Sequence, residues 1–106
     1  MTNFSALAQR LGLEEDEYLE LVELFVNTSD TDLDKIENSI GANDPEGTAK
    51  AAHSLKGSSG SLGFDAISEA AMRIEKNARE GSLEGAVQSV ETIKDKIRAL
   101  AALISE

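Results

Sequence analysis

EEDEYLELVELFVNTSDTDLDKIENSIGANDP, residues 14–45, places Tyr18, Leu21, Val22, Phe25, Ser29, Leu33, Ile36 and Ile40 along one side of a helix. At 100° per residue these positions fall within about 120° of one another and form one apolar stripe. The polar run Asn27 to Asp32 contains neither Gly nor Pro and leaves the stripe in phase, which predicts an unbroken helix from about Glu14 to Ile40. Glu14, Glu15, Asp16 and Glu17 in its first turn suit the positive end of the helix dipole. Gly41 ends the helix. Asp44 followed by Pro45 then starts the next one, with a capping side chain before a proline at the first helical position.

The same spacing extends in both directions. Upstream, Asn3 or Ser5 can cap a short helix holding Phe4, Leu7 and Leu11 and stopped by Gly12. Downstream, Thr48, Ala52, Leu55 and Ser59 give a narrow stripe of small residues over Pro45 to Gly60. Phe64, Ile67, Ala71, Ile74 and Ala78 mark a helix to about Glu80, and Ser82 caps a last one striped by Ala86, Val90, Ile93, Ile97, Leu100 and Ile104. No segment alternates with period two. Short connections make sequential helices antiparallel, so the expected fold is all-α: an antiparallel up-down four-helix bundle with a short additional N-terminal helix. At 106 residues the chain can build one hydrophobic core and not two, so residues 1–106 read as a single domain.

Composition narrows the function. The chain has no cysteine, which excludes disulfide scaffolds, thiolate metal sites and thiol nucleophiles and fits a reducing compartment. It has no apolar run of membrane-spanning length, and MTNFSALAQR lacks the layout of a signal peptide, so a cytoplasmic location is expected. The net charge of −10 is uneven: Glu14 to Glu46 holds twelve acids and one base, whereas residues 47–106 carry eight of each sign. Such a surface repels phosphate backbones and anionic lipid, which argues against nucleic-acid and membrane binding and leaves a protein or a small ligand. A small, highly charged bundle with complete stripes is expected to be a monomer.

The chemistry concentrates in AAHSLKGSSGSLGF, Ala51 to Phe64. On the wheel, Ala49, His53, Lys56, Gly57 and Gly60 fall within about 100° of each other and point away from the Thr48, Ala52, Leu55 and Ser59 stripe, so the chain's one histidine is expected to face solvent. Two glycines in the turns after His53 cost the helix about 1 kcal/mol each relative to alanine. On an outward face they clear ground beside the imidazole for another macromolecule. Lys56 adds a mobile point charge suited to an oxygen-rich anion. A bare imidazole, a flanking ammonium and open space describe a site for carrying a phosphoryl group. Ser54, Ser58, Ser59 and Ser61 read as small packing and turn residues. Gly57 to Gly60 lacks the preceding strand and the spacing of a phosphate-cradling loop. The acidic face reads as solvated, although a divalent metal or a basic partner is the alternative.

His-Ser-Leu-Lys-Gly-Ser-Ser-Gly-Ser-Leu-Gly, His53 to Gly63, resembles the signature of histidine phosphotransfer (HPt) domains of two-component phosphorelays, A-H-x-L-K-G-[SA]-[SA]-x-x-L-G. Arg73, Ile74, Glu75 and Ala78-Arg79 sit where that family has an L-E-x-x-A-[RK] continuation. The resemblance implies that His53 is the phosphorylated histidine, Lys56 its neighbouring lysine, and Gly57 the small residue on the same face, with Gly60 and Ala49 completing an open docking face. It also implies exchange of the phosphoryl group with an aspartate of a response-regulator receiver domain, free or within a hybrid histidine kinase. The chain would then be a phospho-carrier without kinase activity of its own. This helix face shows no metal cluster, and Mg²⁺ is expected on the partner receiver domain. Arg73, Lys76 and Arg79 lie on the polar side of the fourth helix, where they can border the histidine face. Two other readings share the bundle: an adaptor that binds a receiver or kinase domain without being phosphorylated, and the input domain of a chemotaxis-type kinase.

Overall fold

A computed structural model describes residues 3–105. Five helices follow one another: α1 (Phe4–Arg10), α2 (Glu15–Gly41), α3 (Pro45–Ser61), α4 (Asp65–Arg79) and α5 (Ala86–Ile104). α3 packs between α2 and α4, α5 closes the ring against α4 and α2, and the diagonal pairs meet only through side chains in the core. This is the four-helix bundle, with α1 laid against α2. At 1.5 Å per residue the 27 residues of α2 run about 40 Å, which spans the 41 Å long axis of the molecule.

α2 stays continuous through Asn27–Asp32, where the in-phase Phe25, Ser29 and Leu33 are buried and the hydroxyls bond within the helix. Thr28 Oγ1 donates to the Leu24 carbonyl and Ser29 Oγ to the Val26 carbonyl, each at 2.9 Å. Capping follows the sequence at two ends, where Asn3 Oδ1 accepts from the Ala6 amide and Asp44 Oδ1 from the Gly47 amide, each at 3.0 Å; at the start of α2 the Glu17 carboxylate also accepts from the Glu14 amide at 3.1 Å. Asn3 therefore fills the role for which Ser5 was the alternative.

The expected stripes meet in one core. Tyr18, Val22, Phe25, Leu33 and Ile36 of α2 face Leu55 of α3, Ile67 and Ile74 of α4, and Val90, Ile93 and Ile97 of α5. Phe64 enters from the α3–α4 turn, its ring 5.5 Å from that of Phe25. The Tyr18 hydroxyl donates to the Leu62 carbonyl at 2.6 Å and ties α2 to the same turn. Gly63 holds that turn at φ +86°, where a Cβ would also lie 2.8 Å from Leu7 Cδ2. Buried Thr48 and Ser59 satisfy their hydroxyls on the carbonyls of Asp44 and Leu55.

Three expectations are corrected. Leu21 and Leu11 are exposed: Leu21 lies on the edge of the α2 stripe and Leu11 is the C-cap residue just past α1. Ser82 does not cap α5. Its hydroxyl accepts from the Glu84 amide within the connecting turn, and α5 starts after Gly85 at φ +76°. Ala49 is 2% exposed, so it belongs to the core side of α3. A helix wedged between two neighbours buries a wider arc than its one apolar stripe suggests.

Candidate functional site

His53 stands on α3 with 61% of its side chain exposed, opposite the C-terminal half of α4. Its Nδ1 lies 2.9 Å from Oε2 of Glu75, a carboxylate only 8% exposed. Three cationic or protic groups converge on that buried side chain. Lys56 Nζ reaches Oε1 at 2.7 Å, while Arg79 donates to Oε2 through Nη2 at 2.7 Å and Nε at 3.1 Å. With the imidazole neutral, two cations and one carboxylate leave the cluster one positive charge in excess.

Burial alone would push the Glu75 carboxyl up, but hydrogen bonds from Lys56, Arg79 and His53, with the charge of Lys56, outweigh it and hold the pKa at about 2. Glu75 is therefore ionised and can only accept hydrogen bonds. In the neutral ring the proton must sit on Nδ1, and Nε2 is left with its lone pair and with no hydrogen-bond partner among the described residues. The linkage has a definite sign. A carboxyl depressed below 4.5 in the fold contributes stability that is complete above pH 4.5 and is lost as pH falls towards 2. Discounted for the exposed His53 and Arg79, this amounts to about 2 kcal/mol. Glu75→Gln is expected to flatten the acid limb of the stability curve between pH 5 and 2, as read by urea unfolding across that range. An acid limb identical to wild type would show that Glu75 does not carry this linkage.

Around this cluster the surface is bare. A Cβ built at Gly57, one turn beyond His53, meets nothing within 4 Å. Gly60, though exposed, is closed on one side: a Cβ there would come 3.2 Å from Ser68 Oγ, which donates to the Lys56 carbonyl at 3.1 Å. Ala49, expected on this open face, is buried and takes no part in it. Of the three basic residues of α4, Arg79 joins the cluster, whereas Arg73 and Lys76 are exposed and make no ion pair among the described residues. The helix-wheel reading missed Glu75 as a site residue. Its signal was present, since position 75 lies one turn after Ala71 and three residues before Ala78, inside the apolar stripe of α4. An acid at a core position with a base four residues on is a buried charge in need of partners.

Comparison with known proteins agrees with this geometry. The profile of the Hpt domain family matches residues 20–103. Among solved structures, histidine-containing phosphotransfer protein B (HptB) from Pseudomonas aeruginosa PAO1 is similar, with 28% sequence identity and a TM-score of 0.83 over 93% of this chain and 86% of that one. No match is found among curated protein sequences. A family profile covering most of the bundle, and a solved phosphotransfer protein of the same architecture, establish a phosphotransfer role in two-component signalling: the chain belongs to the Hpt domain family.

Proposed function

We propose that the protein is a phospho-carrier that holds a phosphoryl group on Nε2 of His53 and exchanges it with an aspartate of a response-regulator receiver domain. The observation that carries this reading is the fixed imidazole: on a side chain 61% exposed, one turn before the bare Gly57, Nδ1 is tied to buried Glu75, which leaves Nε2 as the ring nitrogen without a hydrogen-bond partner among the described residues. In the forward step the Nε2 lone pair attacks the phosphorus of an aspartyl phosphate. The N–P bond forms, the P–O bond to the aspartate breaks, and the carboxylate leaves as an anion. No proton has to move, because Nδ1 keeps its hydrogen, and the positive charge that develops on the ring is offset by the Glu75 carboxylate. Reversal of the same step returns the phosphoryl group to another carboxylate. A divalent cation on the receiver would neutralise charge on the transferring group. This chain contributes the nucleophile, its orientation and the excess positive charge of Lys56 and Arg79.

Incubation with a phosphorylated receiver domain tests the reading. The expected label on this chain is acid-labile and alkali-stable, as a phosphoramidate is. Acid-stable label on a serine would contradict it, and receiver binding without any label would favour the adaptor reading. Lys56→Ala is expected to slow transfer about tenfold, the effect of removing one charge from a partly desolvated site, while lowering unfolding stability by about 1–3 kcal/mol, since buried Glu75 loses one hydrogen-bonded cation and keeps Arg79 and His53. Transfer time courses beside urea unfolding curves separate the two effects.

A further inference from the structure

Two contacts between the antiparallel helices α3 and α4 lie on one seam. At the first, Ser68 Oγ of α4 donates to the Lys56 carbonyl of α3 at 3.1 Å and stands beside Gly60, where a Cβ would come 3.2 Å from that oxygen. At the second, the Glu75 carboxylate meets His53 Nδ1 at 2.9 Å and Lys56 Nζ at 2.7 Å. His53 precedes Gly60 by seven residues and Glu75 follows Ser68 by seven, so the contacts are two turns apart on both helices, about 10 Å. Thr28, Ser58 and Thr92 return their hydroxyls to carbonyls of their own helices. Ser68, the one hydroxyl of α4, instead reaches a backbone carbonyl of its neighbour.

We propose that Gly60 and Ser68 are positioning residues: their contact pins the register of α4 against α3, holds Glu75 on Nδ1 of His53, and so keeps the ring's lone pair on Nε2. The consequence for phosphoryl transfer rests on the phospho-carrier reading. The Glu75 bonds do not fix the helices by themselves, because a long glutamate side chain can follow its partners through several rotatable bonds. A serine has one such bond, so its hydroxyl on a backbone carbonyl tolerates little sliding of one helix along the other. Gly60 is what lets the backbones come close enough for that bond. An alanine there would crowd Ser68 Oγ, which must then turn from the carbonyl or push the helices apart. The two glycines after His53 thus have separate roles: Gly57 leaves the surface bare, and Gly60 admits α4.

A double-mutant cycle of Gly60→Ala and Ser68→Ala decides the matter, read first on the unphosphorylated chain and then on loading. Long-range ¹H–¹⁵N spectra of the neutral His53 ring report its tautomer: a proton fixed on Nδ1 keeps the two ring nitrogens far apart in shift, and mixing of tautomers draws them together. Each single variant is expected to draw them together and to slow loading about fivefold. The loss should be equal with a phosphorylated receiver and with phosphoramidate, which donates its phosphoryl group with ammonia leaving and needs no docking. The double variant is expected to be no worse than Ser68→Ala alone, because without the hydroxyl an alanine at position 60 meets only the Cβ at position 68, at 3.9 Å. Val90→Ala, which opens a cavity in the core on α5, should melt earlier with its ring shifts unchanged. Wild-type ring shifts or wild-type loading in both single variants overturn the proposal. So do effects that add in the double variant, an equal displacement of the ring shifts in Val90→Ala, or a loss seen with the receiver alone, which marks a disturbed docking surface. If wild-type chain takes label from neither donor, the phospho-carrier reading fails, while the ring shifts still decide whether the seam sets the tautomer.

Discussion

His53→Gln is expected to abolish phosphoryl uptake, a loss of at least a thousandfold in initial rate, while leaving the bundle intact. With Nδ1 bonded to Glu75, Nε2 keeps the ring's lone pair, and an amide nitrogen has no comparable lone pair to offer phosphorus. Glutamine can still donate a hydrogen bond to Glu75, so the buried carboxylate keeps a partner in addition to Lys56 and Arg79. The side chain at position 53 is mostly outside the core, and the midpoint of urea unfolding should move by about 1 kcal/mol or less. Residual label at more than a few per cent of the wild-type rate would mean that a second residue accepts the group.

Gly57→Leu is expected to separate stability from transfer most sharply. Nothing stands within 4 Å of a Cβ at this position, so the leucine enters the helix without a clash. It also relieves the entropic cost of glycine in a helix interior, a gain of about 0.5–1 kcal/mol. The new side chain projects from the bare face one turn beyond His53, where a partner must come to within bonding distance of Nε2. Transfer is expected to fall at least a hundredfold, because in-line positioning of the reacting atoms tolerates little displacement. Gly57→Ala should gain nearly the same stability with a much smaller loss of rate. A leucine variant that transfers at the wild-type rate would show that the open ground is not used. One that unfolds would show that the helix face is covered.

Where the sequence was legible, it was legible through phase. The α2 stripe holds its direction across Asn27–Asp32, where Ser29 is buried in phase between Phe25 and Leu33 and the hydroxyls bond to their own helix. The outward direction of His53 followed from the same arithmetic, and its exposure agrees. Width was less legible than direction. A wheel finds the centre of a buried arc but not its extent: Ala49, on the flank of α3 between α2 and α4, is buried, while Leu21, on the edge of the α2 stripe, is not. The start of α5 failed for a different reason. A serine is a good cap wherever it stands, but the chain uses Ser82 within the turn and sets the helix start with the left-handed backbone of Gly85. Glu75 shows what composition hides. Counted among 20 acids it looks like one more solvated charge, yet its neighbours along α4 place it in the apolar stripe. Its three partners come from α3 and from the next turn of α4, so its role becomes visible only when the two helices are brought together.

Which ring nitrogen bears the phosphorus is the most direct question to ask of the molecule. Long-range ¹H–¹⁵N correlation spectra of the ¹⁵N-labelled chain, recorded before and after loading from a phosphorylated receiver, read both imidazole nitrogens of His53 separately. The account predicts phosphorus on Nε2 with Nδ1 still protonated and bonded to Glu75. Phosphorus on Nδ1, or an unmodified ring in a chain that has taken up label, would contradict it.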